Sequence, residues 1–333
     1  MKGLIWLIGA VVVMFWNVEN FFDPFDDPLT RDDEFTPGGA KHWTWKAFER
    51  KRNGIAKTIL ACGDFYGSLP VVVGLAEVEN SMVVRQLCRK SPLAAGEDSD
   101  WGYVHRESPD ARGIDVALLY RRSAFRVVYV DSLRVPEFAT RDILYVKGVL
   151  LEGAGEGAGE GAGKGAGEGA GEGDTLHIFV NHWPSQLGGR SATSSRRDAA
   201  SAVLSSALDS LLSRDSLARI VVMGDFNTPT PSVPLPAAAV SVTHVQPDQK
   251  HYVMPDLFGH PIPGTIKYRG VWEKIDHFFV SSSLSGVCHE ETFAPSFLLE
   301  EDKTYLGVKP KRTYIGPRPN GGLSDHLPIV LVF

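Results

Sequence analysis

The chain has 333 residues, enough for one large α/β domain or for two smaller domains. With 43% hydrophobic and 22% charged residues, its composition is typical of a globular protein with a large core. The formal net charge of −6 excludes a protein that holds nucleic acid by overall positive charge, so a polyanion would have to be bound by local cations or a metal. Cys62, Cys88 and Cys288 are widely spaced, which argues against a disulfide framework and against a cysteine zinc site.

The N-terminal segment is apolar. Gly3 to Trp16 carries no charge, but it is shorter than the ~18 to 20 residues that span a bilayer. Residues 1–10 are compatible with an apolar leader or with the remnant of a secretory signal, and only a signal would favour export over a cytoplasmic location. Val11 to Trp16 is rich in β-branched and aromatic residues and predicts the first strand.

Two polar residues follow this first strand. Asn17 and Glu19 are two residues apart, so an extended chain would point both side chains to the same face. An amide oxygen and a carboxylate in that arrangement suit a hard cation such as Mg²⁺.

The next elements are predicted to be a helix, a strand and a second helix. Trp45 to Cys62 has helical spacing of its apolar residues, and Ser81 to Lys90 follows Glu79 and Asn80, which can cap a helix. Between the helices, Glu77 directly follows the apolar run from Val71 to Ala76. A charge at the end of a buried strand is costly unless it is paired or binds a metal.

Two further strands are predicted within 112–122 and at Phe125 to Val130, and we expect them to be adjacent and antiparallel. Arg112 precedes the first of these strands. It is a candidate substrate contact, although a salt bridge at the strand end is the more common role of such a residue.

Residues 153–173 repeat the tetrapeptide Gly-Ala-Gly-Glu, with Lys164 in place of one glutamate. Alternating glycines cannot sustain a helix, so we interpret the segment as a flexible insert. It separates the strand-like segments 143–151 and 175–184, which places it at the tip of a hairpin. A silk-like β stack is the alternative, but the repeat is too short to build one.

The strand-like segment 175–184 carries His182 close to its end, where an imidazole could donate a hydrogen bond to an anion. A structural role is the more common one for a single histidine. A helix from Arg196 to Leu212 is predicted next, followed by the apolar strand Ile220 to Met223.

A turn follows this strand. Gly224 is predicted to allow the chain to turn sharply, so that Asp225 and Asn227 project from the strand end. Asp and Asn also favour ordinary turns, so this motif alone is not specific.

The C-terminal part places another carboxylate inside a strand. Asp276 lies within the apolar segment Ile275 to Val280, and a buried aspartate without a cation would be unfavourable. His326 precedes the last apolar segment and is the obvious partner, with Asp325 beside it. If these strand ends converge, they offer carboxylates, amides and imidazoles without a nucleophilic Cys or Ser, which suits Mg²⁺ or Mn²⁺ and the hydrolysis of phosphate esters.

The ordered set of motifs resembles the endonuclease/exonuclease/phosphatase superfamily, which includes deoxyribonuclease-I-like nucleases and sphingomyelinases. The matching motifs are Trp16-Asn-Val-Glu19, Glu77, Asn181-His182, Gly224-Asp-Phe-Asn227, Ile275-Asp276 and Ser324-Asp-His326. The resemblance implies a single domain over residues 11–333 with an α+β fold. This fold is a deoxyribonuclease-I-like four-layer sandwich of two mixed β-sheets flanked by helices.

The resemblance also implies roles for the matching residues. Glu77 would be the principal metal ligand, with Asn17, Glu19 and Asp325 near the ion. Asp225 would activate the attacking water. Asn227 and His182 would hold the phosphoryl oxygens, and His326, oriented by Asp276, would stabilise the transition state or protonate the leaving oxygen.

The substrate stays open. An endonuclease-type phosphodiesterase acting as a monomer is the first expectation, with Arg112, Arg269 and Trp272 as candidate nucleic-acid contacts. A phosphatase or phosphodiesterase of small molecules or lipid headgroups is the alternative, although no apolar hairpin for a membrane is evident in the sequence. A non-catalytic polyanion-binding module with the same fold is the third possibility.

Overall fold

The structure of the chain is a computed structural model. The structure describes residues 10–94, 100–151, 154, 175–186, 189–229, 242–244, 262–285 and 288–333. The leader predicted at residues 1–10 and the insert predicted at 153–173 lie outside the described residues, apart from Ala10 and Ala154. No helix in the described part of the chain combines the length and apolar character needed to cross a membrane.

Strands dominate the described residues. They are β1 (Val12–Phe21), β2 (Val72–Val78), β3 (Trp101–His105), β4 (Asp115–Arg121), β5 (Phe125–Leu133), β6 (Ile143–Leu150), β7 (Thr175–His182), β8 (Arg219–Asp225), β9 (Val242–His244), β10 (Ile266–Tyr268), β11 (Val271–Glu273), β12 (Asp276–Ser281), β13 (His289–Thr292), β14 (Leu299–Glu301), β15 (Val308–Pro310), β16 (Tyr314–Ile315), β17 (Arg318–Pro319) and β18 (Ile329–Val332). The helices are α1 (Trp45–Tyr66), α2 (Ser81–Lys90), α3 (Arg190–Leu212) and α4 (Ser282–Ser285), with 3₁₀ turns at Asp33–Phe35, Pro92–Ala94 and Ser296–Leu298.

Two six-stranded mixed sheets form the centre of the molecule. Their strand orders are β13-β18-β1-β2-β4-β3 and β5-β6-β7-β8-β12-β9. The pairs β1/β2 and β7/β8 are parallel, while the other neighbours are antiparallel.

Alternate residues of β1 show how the layers are packed. Val13 and Phe15 belong to a core shared by the two sheets, whereas Met14 and Trp16 face a second core that includes residues of α1 and α2. A third core joins the outer face of the second sheet to α3. The layers are therefore helices, sheet, sheet and helix, which confirms the predicted four-layer α+β sandwich.

The predicted pairing of the two strands around residue 123 is wrong. β4 pairs with β2 and β3 in the first sheet, while β5 pairs with β6 in the second. Leu118 and Phe125 both face the core between the sheets, so the short turn carries the chain across that core and does not fold it back as a hairpin. Two apolar strands around a short turn have the same amino-acid pattern whether they pair as a hairpin or belong to different sheets.

The helices also differ in detail from their predicted bounds. α1 continues beyond Cys62 to Tyr66 and ends at Gly67, whose φ of 75° is the left-handed conformation that terminates helices. α3 begins at residue 190, six residues earlier than predicted. α2 has its predicted bounds, and the side chain of Asn80 caps it by accepting hydrogen bonds from the N–H groups of residues 82 and 83.

The insert predicted at 153–173 connects β6 and β7. These two strands pair antiparallel from Leu144 opposite Val180 to Val149 opposite Thr175. The connection therefore joins neighbouring strands, as a hairpin tip would.

The strand directions bring the predicted polar residues to one edge. Parallel neighbours end at the same edge, so Asn17 on β1 lies near Glu77 on β2, and His182 on β7 is paired with Asp225 on β8. β12 runs antiparallel to β8 and begins at this edge, with Asp276 opposite Asp225.

Candidate active site

Asp225 lies at the centre of the cluster and is almost fully buried. Its Oδ1 accepts the N–H of Asn227 at 2.9 Å, and its Oδ2 accepts Nδ2 of Asn17 at 3.0 Å. Glycine is required at position 224 for a reason other than the predicted sharp turn. It is paired within β8, and a Cβ at this position would lie 2.5 Å from the carbonyl oxygen of Asn181 on the neighbouring strand.

The predicted partnership of Asp276 and His326 is present. Nδ1 of His326 is 2.9 Å from Oδ2 of Asp276, and both side chains are buried. Burial would lower the pKa of His326, but the carboxylates of Asp276 and Asp225 outweigh it and raise this pKa well above its ordinary value. The imidazole is therefore protonated at neutral pH.

The other ring nitrogen of His326 faces Asp225. Nε2 lies 3.8 Å from Oδ2 of Asp225. Burial, together with the charge of Asp276, raises the pKa of Asp225 to about 7, although His326, the N–H of Asn227 and the amide of Asn17 act in the opposite direction. The cluster therefore contains one carboxylate that exchanges its proton near neutral pH.

Glu77 lies beside this cluster and is more accessible. Its Oε1 is 3.4 Å from Nδ2 of Asn17 and 3.9 Å from Nε2 of His182, while its Oε2 accepts the N–H of Asn20 at 2.8 Å. The amide of Asn17 turns its nitrogen towards the carboxylates, because its Oδ1 accepts the N–H of Glu19.

The backbone at this edge is unusual. Glu19, Asn20, Glu77 and Asn227 are non-glycine residues with φ between 49° and 61°. Such conformations are unfavourable for residues with a Cβ, and they persist where the surrounding structure fixes them, as at functional sites.

His182 is held in a neutral state. Its Nε2 lies 3.7 Å from Oδ2 of Asp225, and its Nδ1 is buried without a hydrogen-bond partner. Burial and the positive charges of Arg141, Arg112 and His326 lower the pKa of His182 well below its ordinary value. A neutral imidazole with one nitrogen at the cleft can donate a hydrogen bond without carrying a charge.

Arg141 supports the end of β7 and was not among the predicted site residues. Its guanidinium donates to the carbonyl oxygens of His182 and Trp183 and to Asp110 at 2.9 Å. Asn227 reinforces the same strand end, because its Nδ2 donates to the carbonyl oxygen of Trp183 at 3.0 Å. The only sequence signal for Arg141 is a charged residue two positions before a predicted strand, and that signal is common.

Glu19 and Asp325 are brought together, but on a cation of the chain itself. Nη2 of Arg312 donates to Oε1 of Glu19 at 2.8 Å and to Oδ2 of Asp325 at 2.9 Å. Nε of Arg312 and the N–H of Thr313 complete the contacts of Glu19. These two predicted metal ligands therefore already have a positive charge between them.

The three side chains predicted to contact the substrate interact with neighbouring parts of the fold. Nε of Arg112 is 3.4 Å from Asp110, in the salt bridge expected near a strand end. Arg269 lies in the turn between β10 and β11, 5.3 Å from the ring centre of Tyr268, and Trp272 packs against the helix-side core of the first sheet. Within the described residues, no hydrogen bond or salt bridge joins these three side chains to Asp225 or Glu77.

Two neighbouring hairpins expose apolar side chains, contrary to the expectation that the chain has no apolar hairpin. Tyr268 and Val271 flank the turn between β10 and β11, and Tyr305 and Leu306 lie in the turn between β14 and β15. Nζ of Lys267 on β10 donates to the carbonyl oxygen of Leu306 at 2.7 Å, which joins the hairpins. The pattern was missed because these residues are interspersed with charged ones in the sequence.

The site can hold a metal ion. Carboxylate oxygens of Asp225 and Asp276 lie within 4.8 Å of each other, and Glu77 adds an oxygen at the accessible side. Two of the three carboxyl groups, those of Asp225 and Asp276, face the single positively charged imidazole of His326, so the site has an excess of negative charge once Asp225 is ionised. Oxygen donors and excess negative charge both fit a hard divalent cation.

Comparisons with known proteins identify the family and the fold of the chain. The family model described as "Endonuclease/Exonuclease/phosphatase family" matches residues 12–154 and 166–333. A comparison with curated protein sequences gives no significant match.

Three solved structures illustrate the similarity of fold. Truncated Caenorhabditis elegans TDP2 is 15% identical, with 97% of each chain covered and a TM-score of 0.55. A mannosyl-6-phosphatase from Bacteroides thetaiotaomicron is 13% identical, with 97% of this chain and 99% of the other covered and a TM-score of 0.55. D. rerio TDP2 in complex with a single-strand DNA product is 16% identical, with 97% and 98% covered and a TM-score of 0.50. The family match over almost the whole chain shows that this protein belongs to the endonuclease/exonuclease/phosphatase family.

Proposed function

We propose that the protein is a Mg²⁺- or Mn²⁺-dependent phosphoesterase that hydrolyses phosphodiester bonds by direct attack of water, as an endonuclease-type hydrolase does. Members of its family are phosphoesterase hydrolases. The proposal depends chiefly on one observation, the position of Oδ2 of Asp225 within 3.8 Å of the Nε2 atoms of both His182 and His326. A carboxylate between a neutral and a protonated imidazole can remove a proton from water while both neighbours face the phosphate.

The metal would be held by Glu77, with Asn17 beside it. A divalent cation bound there supplies positive charge that stabilises the phosphoryl oxygens as negative charge develops. We assign Glu19 and Asp325 a supporting role, because Arg312 already neutralises both carboxylates.

Asp225 is proposed to accept a proton from the attacking water. The water oxygen forms a bond to phosphorus while the bond between phosphorus and the leaving oxygen breaks. His326, whose Nδ1 is held by Asp276, is proposed to donate the proton on Nε2 to that leaving oxygen. The proton taken by Asp225 and the proton given by His326 balance the reaction.

His182 and Asn227 are proposed to bind the non-bridging oxygens. The imidazole of His182 is neutral and can donate from Nε2, and Arg141 fixes the end of its strand. The amide of Asn227 is anchored on the carbonyl oxygen of Trp183 and has a second N–H for a phosphoryl oxygen. Donors that are fixed before the reaction are the effective ones in a buried site.

The substrate is proposed to be a phosphodiester, for which Arg112, Arg269 and Trp272 stay the candidate nucleic-acid contacts. The D. rerio TDP2 structure with a DNA product supports this choice within the same fold. A small phosphate monoester is the second candidate, because the net charge of −6 is unfavourable for a long polyanion and a mannosyl-6-phosphatase has the same fold. A purely binding role is less well supported, because no predicted catalytic group is missing.

The test is a hydrolysis screen with purified protein in Mg²⁺, in Mn²⁺ and in excess chelator. The substrates are plasmid DNA, RNA, a chromogenic phosphodiester, phosphate monoesters and a phospholipid dispersion. We expect hydrolysis only with a metal, and near-complete loss in Glu77→Gln with an unchanged circular dichroism spectrum. Glu137→Gln, at an exposed position, is the matched control. Full activity in chelator, or an undiminished Glu77→Gln variant, would contradict the proposal.

A further inference from the structure

We propose that His105, Glu107 and Asp115 form a second divalent-cation site, of the kind occupied by Zn²⁺ and separate from the proposed catalytic ion. His105 is the last residue of β3 and Asp115 the first residue of β4. Asp115 lies opposite Val78, the residue after Glu77, so the cluster is one strand away from the catalytic edge. It uses none of the residues to which the hydrolysis has been assigned.

The three side chains lie close enough together to share one ion. One ligand atom from each of the three residues lies within 4.8 Å of the others. Nε2 of His105 is 3.3 Å from Oδ2 of Asp115, yet this nitrogen has no hydrogen-bond partner although the side chain is only 1% exposed. Two ligands at ~2.0 to 2.2 Å from a tetrahedral metal lie roughly 3.3 to 3.6 Å apart, which matches this separation.

The surroundings orient the ligands as in known metal sites. Oδ1 of Asp115 accepts the N–H of Ser108 at 3.0 Å, which leaves Oδ2 directed at the imidazole. Oε1 of Glu107 lies 3.7 Å from Nδ1 of His105, and the side chain of Glu107 is 70% exposed, so this carboxylate can adjust as the third ligand. Hydrogen bonds such as the one from Ser108 to Asp115 fix the orientation of ligands in metalloproteins.

The local charge also favours a cation. Glu107 and Asp115 place two carboxyl groups beside the single imidazole of His105. Two carboxylates and an imidazole in contact are stabilised either by a shared proton or by a metal ion. One imidazole with carboxylates suits Zn²⁺ or Mn²⁺, and Zn²⁺ binds more tightly than Mn²⁺ to such a set.

The position suggests what the ion would do. The loop from residue 106 to 114 carries Asp110, which binds Arg141, and Arg141 donates to the carbonyl oxygens of His182 and Trp183. A cation between His105 and Asp115 would join the two ends of this loop. It would thereby stabilise the support beneath the end of β7.

The test is equilibrium dialysis of the full chain against Zn²⁺ in a large excess of Mg²⁺, which occupies the proposed catalytic site. We expect one tightly bound Zn²⁺ in the wild type, in the exposed control Glu137→Gln and in Glu77→Gln. Glu107→Gln should bind at least ~10-fold more weakly, and His105→Gln should lose the ion. Co²⁺ in place of Zn²⁺ should give a visible absorption band in the wild type that His105→Gln lacks.

Three outcomes would overturn the site. They are no Zn²⁺ retained by the wild type in excess Mg²⁺, equal Zn²⁺ affinity in Glu107→Gln, and loss of Zn²⁺ in Glu77→Gln, which would place the ion at the catalytic edge. If His105→Gln does not fold, Glu107→Gln decides, because its exposed side chain can be replaced without disturbing the core. The metal-dependent hydrolysis proposed above is tested separately and can stand without this site.

Discussion

Two groups of carboxylates lie at the same edge of the two sheets and differ in the cation beside them. Asp225 and Asp276 face the imidazole of His326, at 3.8 and 2.9 Å. Glu19 and Asp325 share the guanidinium of Arg312, at 2.8 and 2.9 Å. We call them the imidazole group and the guanidinium group.

The difference lies in whether the cation can exchange a proton. An imidazole can give up its proton within the physiological range, whereas a guanidinium does not. The buried Lys51 adds further support beneath the guanidinium group by donating to the carbonyl oxygens of Glu19 and Leu323. The imidazole group is therefore suited to proton transfer, and the guanidinium group to holding the loops at the mouth of the site.

The largest expected effect separates the two groups by activity. Asp225→Asn keeps the shape of the side chain but removes the base, so we expect kcat to fall by ~10² to 10⁴ with KM little changed. Asp325→Asn changes a carboxylate of the guanidinium group in the same way, and kcat should fall by less than ~10-fold. Steady-state kinetics on the best substrate of the screen measures both. Equal losses in the two variants would remove the distinction.

The next effect separates the groups by stability. Arg312→Met removes the cation and leaves the buried carboxylate of Glu19 without its partner. Breaking a fully buried pair costs ~3 to 5 kcal/mol, and because Arg312 is 47% exposed we expect about 2 kcal/mol of unfolding free energy to be lost. Urea unfolding followed by circular dichroism measures this loss, with the exposed Arg269→Met as the control. An unchanged midpoint would show that the guanidinium group has no structural role.

A smaller effect concerns pH. The folded-state pKa of Asp225 is raised to about 7 from an ordinary value of 3.8, mainly by burial, so its contribution to stability is full below that ordinary value and lost as the pH rises through about 7. The raised pKa of His326 acts in the same direction at higher pH. The guanidinium of Arg312 does not titrate in this range.

The metal-free protein should therefore lose unfolding free energy between pH 5 and pH 8, and Asp225→Asn should lose less. Excess Mg²⁺ should reduce the loss in the wild type, because a cation replaces the proton. Urea unfolding in chelator across this pH range is the measurement. If the unfolding free energy of the wild type and of Asp225→Asn depends on pH in the same way, the raised pKa of Asp225 is contradicted.

The smallest effect is expected far from both groups. Deleting residues 153–173 and closing β6 to β7 with a short turn should change Tm by only a few degrees, because each doubling of loop length changes the closure free energy by ~0.6 kcal/mol. Thermal unfolding of the deletion variant measures this, and activity should persist. A protein that fails to fold would show that the repeat is packed against the sheets.

The imidazole group was predictable from sequence and the guanidinium group was not. Asp276 inside an apolar strand requires a cation wherever the strand lies, so a partner was expected from burial, and His326 was the obvious candidate. Arg312 lies in the basic run Lys309-Pro-Lys-Arg312, where an arginine is most often exposed. Its contact with Glu19 joins residues 293 positions apart and depends on how the loops close over the sheet edge.

The fold, like the site, was predictable from sequence only in part. Strand segments and their order followed from apolar patterning, as for 219–225 and 143–150. Assignment of strands to sheets did not, because the turn at residues 122–124 between β4 and β5 has the same sequence character whether the chain turns back or crosses the core. Short strands such as β14 and β16 were missed, because two or three residues carry no periodic pattern.

The most direct measurement is a double-mutant cycle on kcat/KM with Asp276→Asn, His326→Ala and the combined variant. Asp276 contacts the proposed proton donor at 2.9 Å and is assigned no other role in the reaction. The loss in the double variant should therefore be close to that of His326→Ala alone, because Asp276 acts mainly through the imidazole and its charge affects Asp225 only through the pKa of that carboxyl group. If the two losses multiply independently, His326 and Asp276 do not act as a pair, and the imidazole group is not the unit that transfers the proton.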